Sequence, residues 1–231
     1  MNRDLIELIK LYTKSCHKEV SGFLLEKSKD TLVAMINDLL TIYINDKNSS
    51  TIREFITVNL AGYQHSSKKI GYNGYKHSSL VGGESIMCEA KPKNFNSEEY
   101  LKFKNKERKT SPDKLNGNGN FTDYTWHRFE KDKVTNVNML VSGFVDGKLI
   151  YIIEFPFSSK DFVDNLERQL IKRFPNGDKT NNYLRGASFN FNHFINSANL
   201  KIVYLLNKKS LADYKDYINH QFYLWLCTKT Q

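Results

Sequence analysis

No C-x-x-C pair, no H-E-x-x-H motif, no phosphate-cradling glycine loop and no apolar run near the roughly 18 residues of a membrane span occurs in this chain. These absences argue against a zinc hydrolase, a loop-type nucleotidase and a helical membrane protein. The three cysteines, Cys16, Cys88 and Cys227, are too scattered for a disulfide framework and read as buried free thiols. The amino terminus, "MNRDLIELIKLYTKS", has charges throughout instead of a basic cap and an apolar stretch, so no secretory signal is expected and a soluble, cytoplasmic protein is.

What remains is well supplied with core-forming residues. A chain of 231 residues, 40% apolar and 13% aromatic, can fill one core, and it shows no repeat or linker. The expectation is a single α/β domain: a central mixed β-sheet flanked by helices, with a helical N-terminal region at 1–63, a sheet core at 64–206 and a C-terminal helix at 207–231. The formal charge of +9 favours an anionic partner, nucleic acid or an acidic membrane surface, without choosing between them.

Leu5, Leu8, Ile9, Tyr12, Cys16, Val20, Phe23 and Leu24 recur at helical spacing, which predicts one amphipathic helix. A second helix follows from a cap at Asp30 or Thr31 through Leu32 to Ile44, ending at "NDKNSS", and a third begins at Ser50 or Thr51. "KIGYNGY" and "ESIMCEAK" read as a hairpin joined by "HSSLVGG", with Pro92 limiting the second strand. A lysine-rich loop comes next, then a short helix, "YTWHRFEKDK", started by Thr122 or Asp123. "NMLVSGFVDGKLIYIIEFPF" is a hairpin about an Asp-Gly turn. A helix over 159–174 carries Phe162, Leu166, Leu170 and Ile171 as its stripe. "GASFNFNHFI" and "LKIVYLL" are further strands, and "SLADYKDYINHQFYLWLC" closes the chain as a helix.

Side chains alternate along a strand, so Met87, Glu89 and Lys91 share one face while Ile86, Cys88 and Ala90 share the other. Only the second face is uniformly apolar, which leaves Glu89 and Lys91 together on the side not committed to packing. A carboxylate that holds a hard cation and an ammonium that stabilises phosphoryl charge are what phosphodiester hydrolysis needs. The alternative is an ion pair of little energetic consequence. Four acid-x-Lys triplets occur, and only "EAK" at 89 ends a mostly apolar strand.

The segment "GYNGYKHSSLVGGESIMCEAKPKN" resembles the metal-binding hairpin of the PD-(D/E)XK nucleases. The order helix, strand, strand, strand, helix, strand is similar to that family's core over about residues 50 to 206, and size and charge resemble a type II restriction endonuclease. The resemblance implies that Glu89 is a metal ligand and Lys91 the catalytic lysine. It sets Asn73 at the first acidic position, where an amide offers a carbonyl oxygen but no charge. Glu54 on the preceding helix, or Asp123 in "NFTDYT", would then supply the missing carboxylate, with Glu54 ranked first. Read from pattern alone, Glu54 is a solvated helix residue and Asp123 a helix N-cap. Glu84, on the same strand as Glu89, would face the opposite way.

Lys102, Lys104, Lys106, Arg108, Lys109 and Lys114 form a basic segment suited to a phosphate backbone or, more simply, a solvated loop. Asn116, Asn118 and Asn120 in "NGNGN" carry amides able to pair with adenine edges, unless the segment is a flexible turn. Trp126, His127 and Arg128 follow and could stack on or bond to the same duplex. His193 in "FNFNHF" reads as a strand histidine and Glu154 as a strand-end carboxylate with a local partner. The expected function is a Mg²⁺-dependent, homodimeric, sequence-specific endonuclease of double-stranded DNA, as in restriction-modification. The alternatives are a non-catalytic nucleic-acid-binding protein and a repair or structure-specific nuclease of the same fold.

Overall fold

The computed structural model describes residues 3–45, 50–66, 71–78, 83–178 and 182–230, with the backbone alone for 40–45. Most of "NDKNSS", the start of "KIGYNGY" and the centre of "HSSLVGG" lie outside the described residues. Four helices open the chain: α1 (Arg3–Lys14), α2 (His17–Leu25), α3 (Lys29–Asn45) and α4 (Thr51–Leu60). Strands β1 (Gln64–His65), β2 (Gly74–His77) and β3 (Ser85–Phe95) follow, then α5 (Ser97–Lys104), β4 (Gly119–Tyr124) and α6 (Trp126–Thr135). Next come β5 (Asn138–Val145), β6 (Lys148–Pro156), α7 (Lys160–Arg173), β7 (Leu184–Phe189) and β8 (Lys201–Leu205). Short helices α8 (Lys208–Ala212) and α9 (His220–Cys227) end it.

The fold is α/β, as the sequence indicated: a mixed six-stranded sheet in the order β1-β2-β3-β5-β6-β8, with helices and a helical N-terminal region. Neighbouring strands are antiparallel except for β3 and β5, which run parallel. β4 and β7 form a separate antiparallel ribbon. Among the described residues no helix is long and apolar enough to cross a membrane.

The β5–β6 hairpin turns through Asp146 (φ 48°) and Gly147 (φ 78°), the paired positive angles of the turn that matches strand twist. Its strands are buried on both faces. One face meets α7, β4 and β7 in an aromatic cluster that includes Phe121, Phe155, Phe157, Phe162 and Phe189. The other packs Leu140, Phe144 and Ile152 toward α4, where Ile56 and Val58 are buried. On α7, Phe162, Leu166 and Leu170 point inward, but Ile171 is 51% exposed because it stands one residue, about 100° of helix, past Leu170.

Several local expectations are corrected. The first amphipathic stretch is two helices, broken at Ser15 and Cys16, and Cys16 is exposed rather than buried. Ser28, not Asp30 or Thr31, caps α3 by accepting from Thr31 N at 3.2 Å. Pro92 does not limit β3. Cys88 O and Ala90 N turn toward the β2 side, so Pro92, two residues on, sets its missing N–H beyond the end of β2, where no strand requires it. The lysine-rich loop begins as helix α5, capped by Asn96. The last helix divides because Leu115 pins residues 217 to 219 through bonds to Tyr217 O and from Asn219 N, and Asn219 then caps α9. β7 stops at Phe189, so His193 lies in a 3₁₀ turn, not a strand, and its Nδ1 accepts from Asn190 N at 3.1 Å. Glu154 is buried, and its partner is remote: Tyr63 OH donates to it at 2.7 Å from the end of α4.

Gly143 couples the hairpin to the site region. Tyr151 lies across it on the neighbouring strand, and the Tyr151 hydroxyl accepts from Gly117 N at 3.2 Å. A Cβ at Gly143 would fall 2.6 Å from Tyr151 Cζ, which is inside van der Waals contact. Gly143→Ala should therefore destabilise the protein by about 1–3 kcal/mol, read as a lower urea midpoint at unchanged m-value. An unaltered midpoint would show that the ring moves aside freely.

Candidate active site

Cys88 and Ala90 pack toward α4, so the alternate residues Glu89 and Lys91 face the crossover that joins β3 to β5. That face is not free of packing, as the sequence suggested; β4 covers it. Glu89 is 7% exposed, and Lys91 Nζ donates to Glu89 Oε1 at 2.5 Å while standing 4.5 Å from the centroid of the Phe121 ring. β4 comes this close because residue 119 is glycine. A Cβ there would lie 2.8 Å from Lys91 Cβ and 2.5 Å from Phe189 Cζ.

A further carboxylate joins them from α6. Asp132 is 4% exposed, its Oδ2 has no hydrogen-bond partner, and Arg128 Nε lies 3.6 Å away. Burial, reinforced by the negative charge of Glu89, pushes the Asp132 carboxyl up to about 6, with Arg128 and Lys91 pulling the other way. The buried Tyr124 hydroxyl is raised by desolvation and by Asp132, close enough to feel its charge but outside hydrogen-bond geometry. Sequence reasoning missed Asp132. Its signal was there: it stands one helical turn after Phe129, the other fully inward residue of α6.

Asn73 and Glu54 reach the same strand from its open edge. Asn73 Oδ1 accepts from Ala90 N at 2.7 Å, and Asn73 Nδ2 donates to Glu54 Oε1 at 2.5 Å. Asn73 thus clips α4 to β3 between Glu89 and Lys91. Asp123 does not join them: it is exposed, sits in β4 at φ 53°, and leaves the capping of α6 to Thr125.

The basic segment is partly neutralised. Lys102 pairs with Glu98 at 2.7 Å and Arg108 with Glu99, whereas Lys104, Lys106, Lys109 and Lys114 make no ion pair among the described residues. Lys104 and Lys114 lie over the same Tyr100 ring, at 4.9 and 5.9 Å from its centroid. Asn116 and Asn118 are half-buried and Asn120 is exposed. Arg128 is occupied, its Nη1 donating to Thr122 O at 2.7 Å, and the Trp126 indole N–H donates to Phe174 O at 3.2 Å. His127 is exposed.

The donor set suits a hard cation in part. Glu89 and Asp132 bring carboxylate oxygens, one of them orphaned and buried. Among the described residues no group of three or more His, Cys, Asp or Glu is arranged to hold a metal ion, so most of the coordination sphere would come from water and phosphate, as is usual for Mg²⁺.

The Asp132 proton is held more tightly in the folded chain than at the ordinary 3.8. The group therefore favours folding below about pH 4, and that advantage is lost as pH rises through about 6. In EDTA, Asp132→Asn should raise stability by about 2 kcal/mol at pH 8 and leave it unchanged near pH 3, measured as urea midpoints. Equal changes at both pH values would contradict this account. No protein-family model matches the chain, and no curated protein is significantly similar to it.

Proposed function

We propose that this protein is a Mg²⁺-dependent endonuclease of double-stranded DNA that acts as a homodimer. The observation that carries the reading is the Glu89–Lys91 pair on β3, set opposite Asp132 and bordered by Gly119 of β4. The net charge of +9 and the unpaired lysines of the α5 segment add a surface suited to a polyanion. The type II restriction enzyme is the finer form of the proposal, resting on the resemblance of "GYNGYKHSSLVGGESIMCEAKPKN" to the nuclease hairpin.

Glu89 and Asp132 would hold the cation, which when bound polarises phosphoryl oxygens and makes water more acidic. Lys91 sets an ammonium beside Glu89, where it stabilises the negative charge that grows on the phosphate. Glu89 fixes that ammonium, and the Phe121 ring limits its swing. In the reaction a water oxygen bonds to phosphorus as the P–O3′ bond breaks. The water gives up a proton, O3′ gains one, and the ends are a 5′-phosphate and a 3′-hydroxyl. One such site cuts one strand, so a two-fold pair of chains accounts for duplex cleavage.

The burial of Glu89 favours a second reading, a nucleic-acid-binding protein without catalysis in which the pair is structural. Duplex DNA of known sequence, incubated with Mg²⁺ or with EDTA, separates the two. The nuclease yields discrete fragments with Mg²⁺ alone, and Glu89→Ala and Lys91→Ala each lower cutting by at least about 100-fold while binding stays within a few-fold. Salt-sensitive binding with no fragments in either condition supports the second reading.

A further inference from the structure

The segment from Lys114 to Asn120 is held by its backbone and free in its amides. Leu115 N donates to Tyr217 O at 2.9 Å and Asn219 N to Leu115 O at 2.8 Å. Phe191 N donates to Asn116 O at 3.0 Å, and Gly117 N to Tyr151 OH. Against that framework, the Asn116 and Asn118 carboxamides make no hydrogen bond among the described residues, and both Oδ1 atoms are buried without a partner. Asn73, Asn138, Asn165 and Asn190, by contrast, all use their side chains in hydrogen bonds. A buried amide oxygen left unbonded is destabilising unless water, an ion or a ligand meets it.

Asn116 and Asn118 line an open cavity of about 380 Å³ with Ser111, Asp113, Lys114 and Asn219. That size lies in the range of ligand clefts, about 300–1,000 Å³. The chain links the cavity to the candidate active site, since Gly119, the residue after Asn118, abuts Lys91. Asn120 is a poorer candidate because its amide is packed over Gly186, where a Cβ would meet Asn120 Oδ1 at 2.8 Å.

We propose that Asn116 and Asn118 read adenine edges of a bound duplex from this cavity, with Lys114 contacting a phosphate alongside. Either amide can turn into the cavity without breaking a hydrogen bond. It then accepts from the adenine N6 amino group and donates to N7, the bidentate match of a carboxamide with that base. The inference rests on the reading of the protein as a binder of duplex DNA and narrows it to sites that contain A·T pairs.

The test is selection from a pool of random duplexes in EDTA, followed by competition between selected duplexes and single A·T→G·C variants of them. The wild-type protein should favour A·T at defined positions. Asn116→Ala and Asn118→Ala should each lose one such preference by roughly 5- to 150-fold, whereas Lys114→Ala weakens all duplexes alike. Asn118→Asp keeps the acceptor and loses the donor, so it should shift its position from adenine toward cytosine. Thermal melting of each variant establishes that it is folded. A wild-type protein that binds all duplexes equally, or variants that are folded and keep the wild-type preference, overturn the proposal. Absence of Mg²⁺-dependent cutting with the preference intact refutes the nuclease reading and supports this one.

Discussion

β3 and β5 run parallel, so the chain that leaves β3 at Phe95 must travel back along the sheet before it can enter β5 at Asn138, a return no tight turn can make. The crossover carries α5, the lysine segment, the asparagine segment, β4 and α6. It passes over the face on which Glu89 and Lys91 stand. Nearly every residue of chemical interest outside β3 therefore comes from one connection, and the direction of a single strand pair decides that they meet. Glu54 and Asn73 arrive from elsewhere, by way of the β3 edge that β2 leaves uncovered past Cys88.

The two faces of the sheet handle buried charge differently. Toward α4, Glu154 takes a hydrogen bond from Tyr63, which itself accepts from Asn138 at 2.8 Å, and Lys76 approaches Glu154 at 3.7 Å. That carboxylate is compensated within the fold. Toward the crossover, Glu89 has Lys91, while Asp132 has Arg128 at 3.6 Å, the nearby Tyr124 hydroxyl and an oxygen with no hydrogen-bond partner among the described residues. One face satisfies its carboxylate with a hydrogen bond as well as a cation; the other leaves a carboxylate oxygen without a hydrogen bond among the described residues.

Much of the scaffold could be read from the residues because local chemistry dictated it. The Asp146-Gly147 turn, the inward positions of Phe162, Leu166 and Leu170 on α7, though not the expected Ile171, and the β2–β3 pairing all follow from short-range pattern. The misreadings of β4, the last helix and Pro92 share a cause, which is partners remote in sequence. β4 is a strand because β7 lies beside it, and its own residues, "GNFTDY", carry too many polar positions to announce one. The interruption before α9 depends on Leu115, and Pro92 is tolerated only because β2 ends early. In the site, Glu89 and Lys91 were legible as an alternating pair on an apolar strand. Asp132 was hidden among the charges of "RFEKDK" until Phe129 fixed which side of the helix turns inward.

The tethers on Leu115, Asn116 and Gly117 come from separate places in the chain, around Tyr217, at Phe191 and at Tyr151. The main chain there is hydrogen-bonded to the rest of the fold in the free protein. A molecule that engages it gives up little freedom beyond two side-chain rotors, about 0.5–1.5 kcal/mol each. Pre-organisation of this kind favours discrimination: with no slack in the backbone, a misfitting surface is not accommodated by rearrangement.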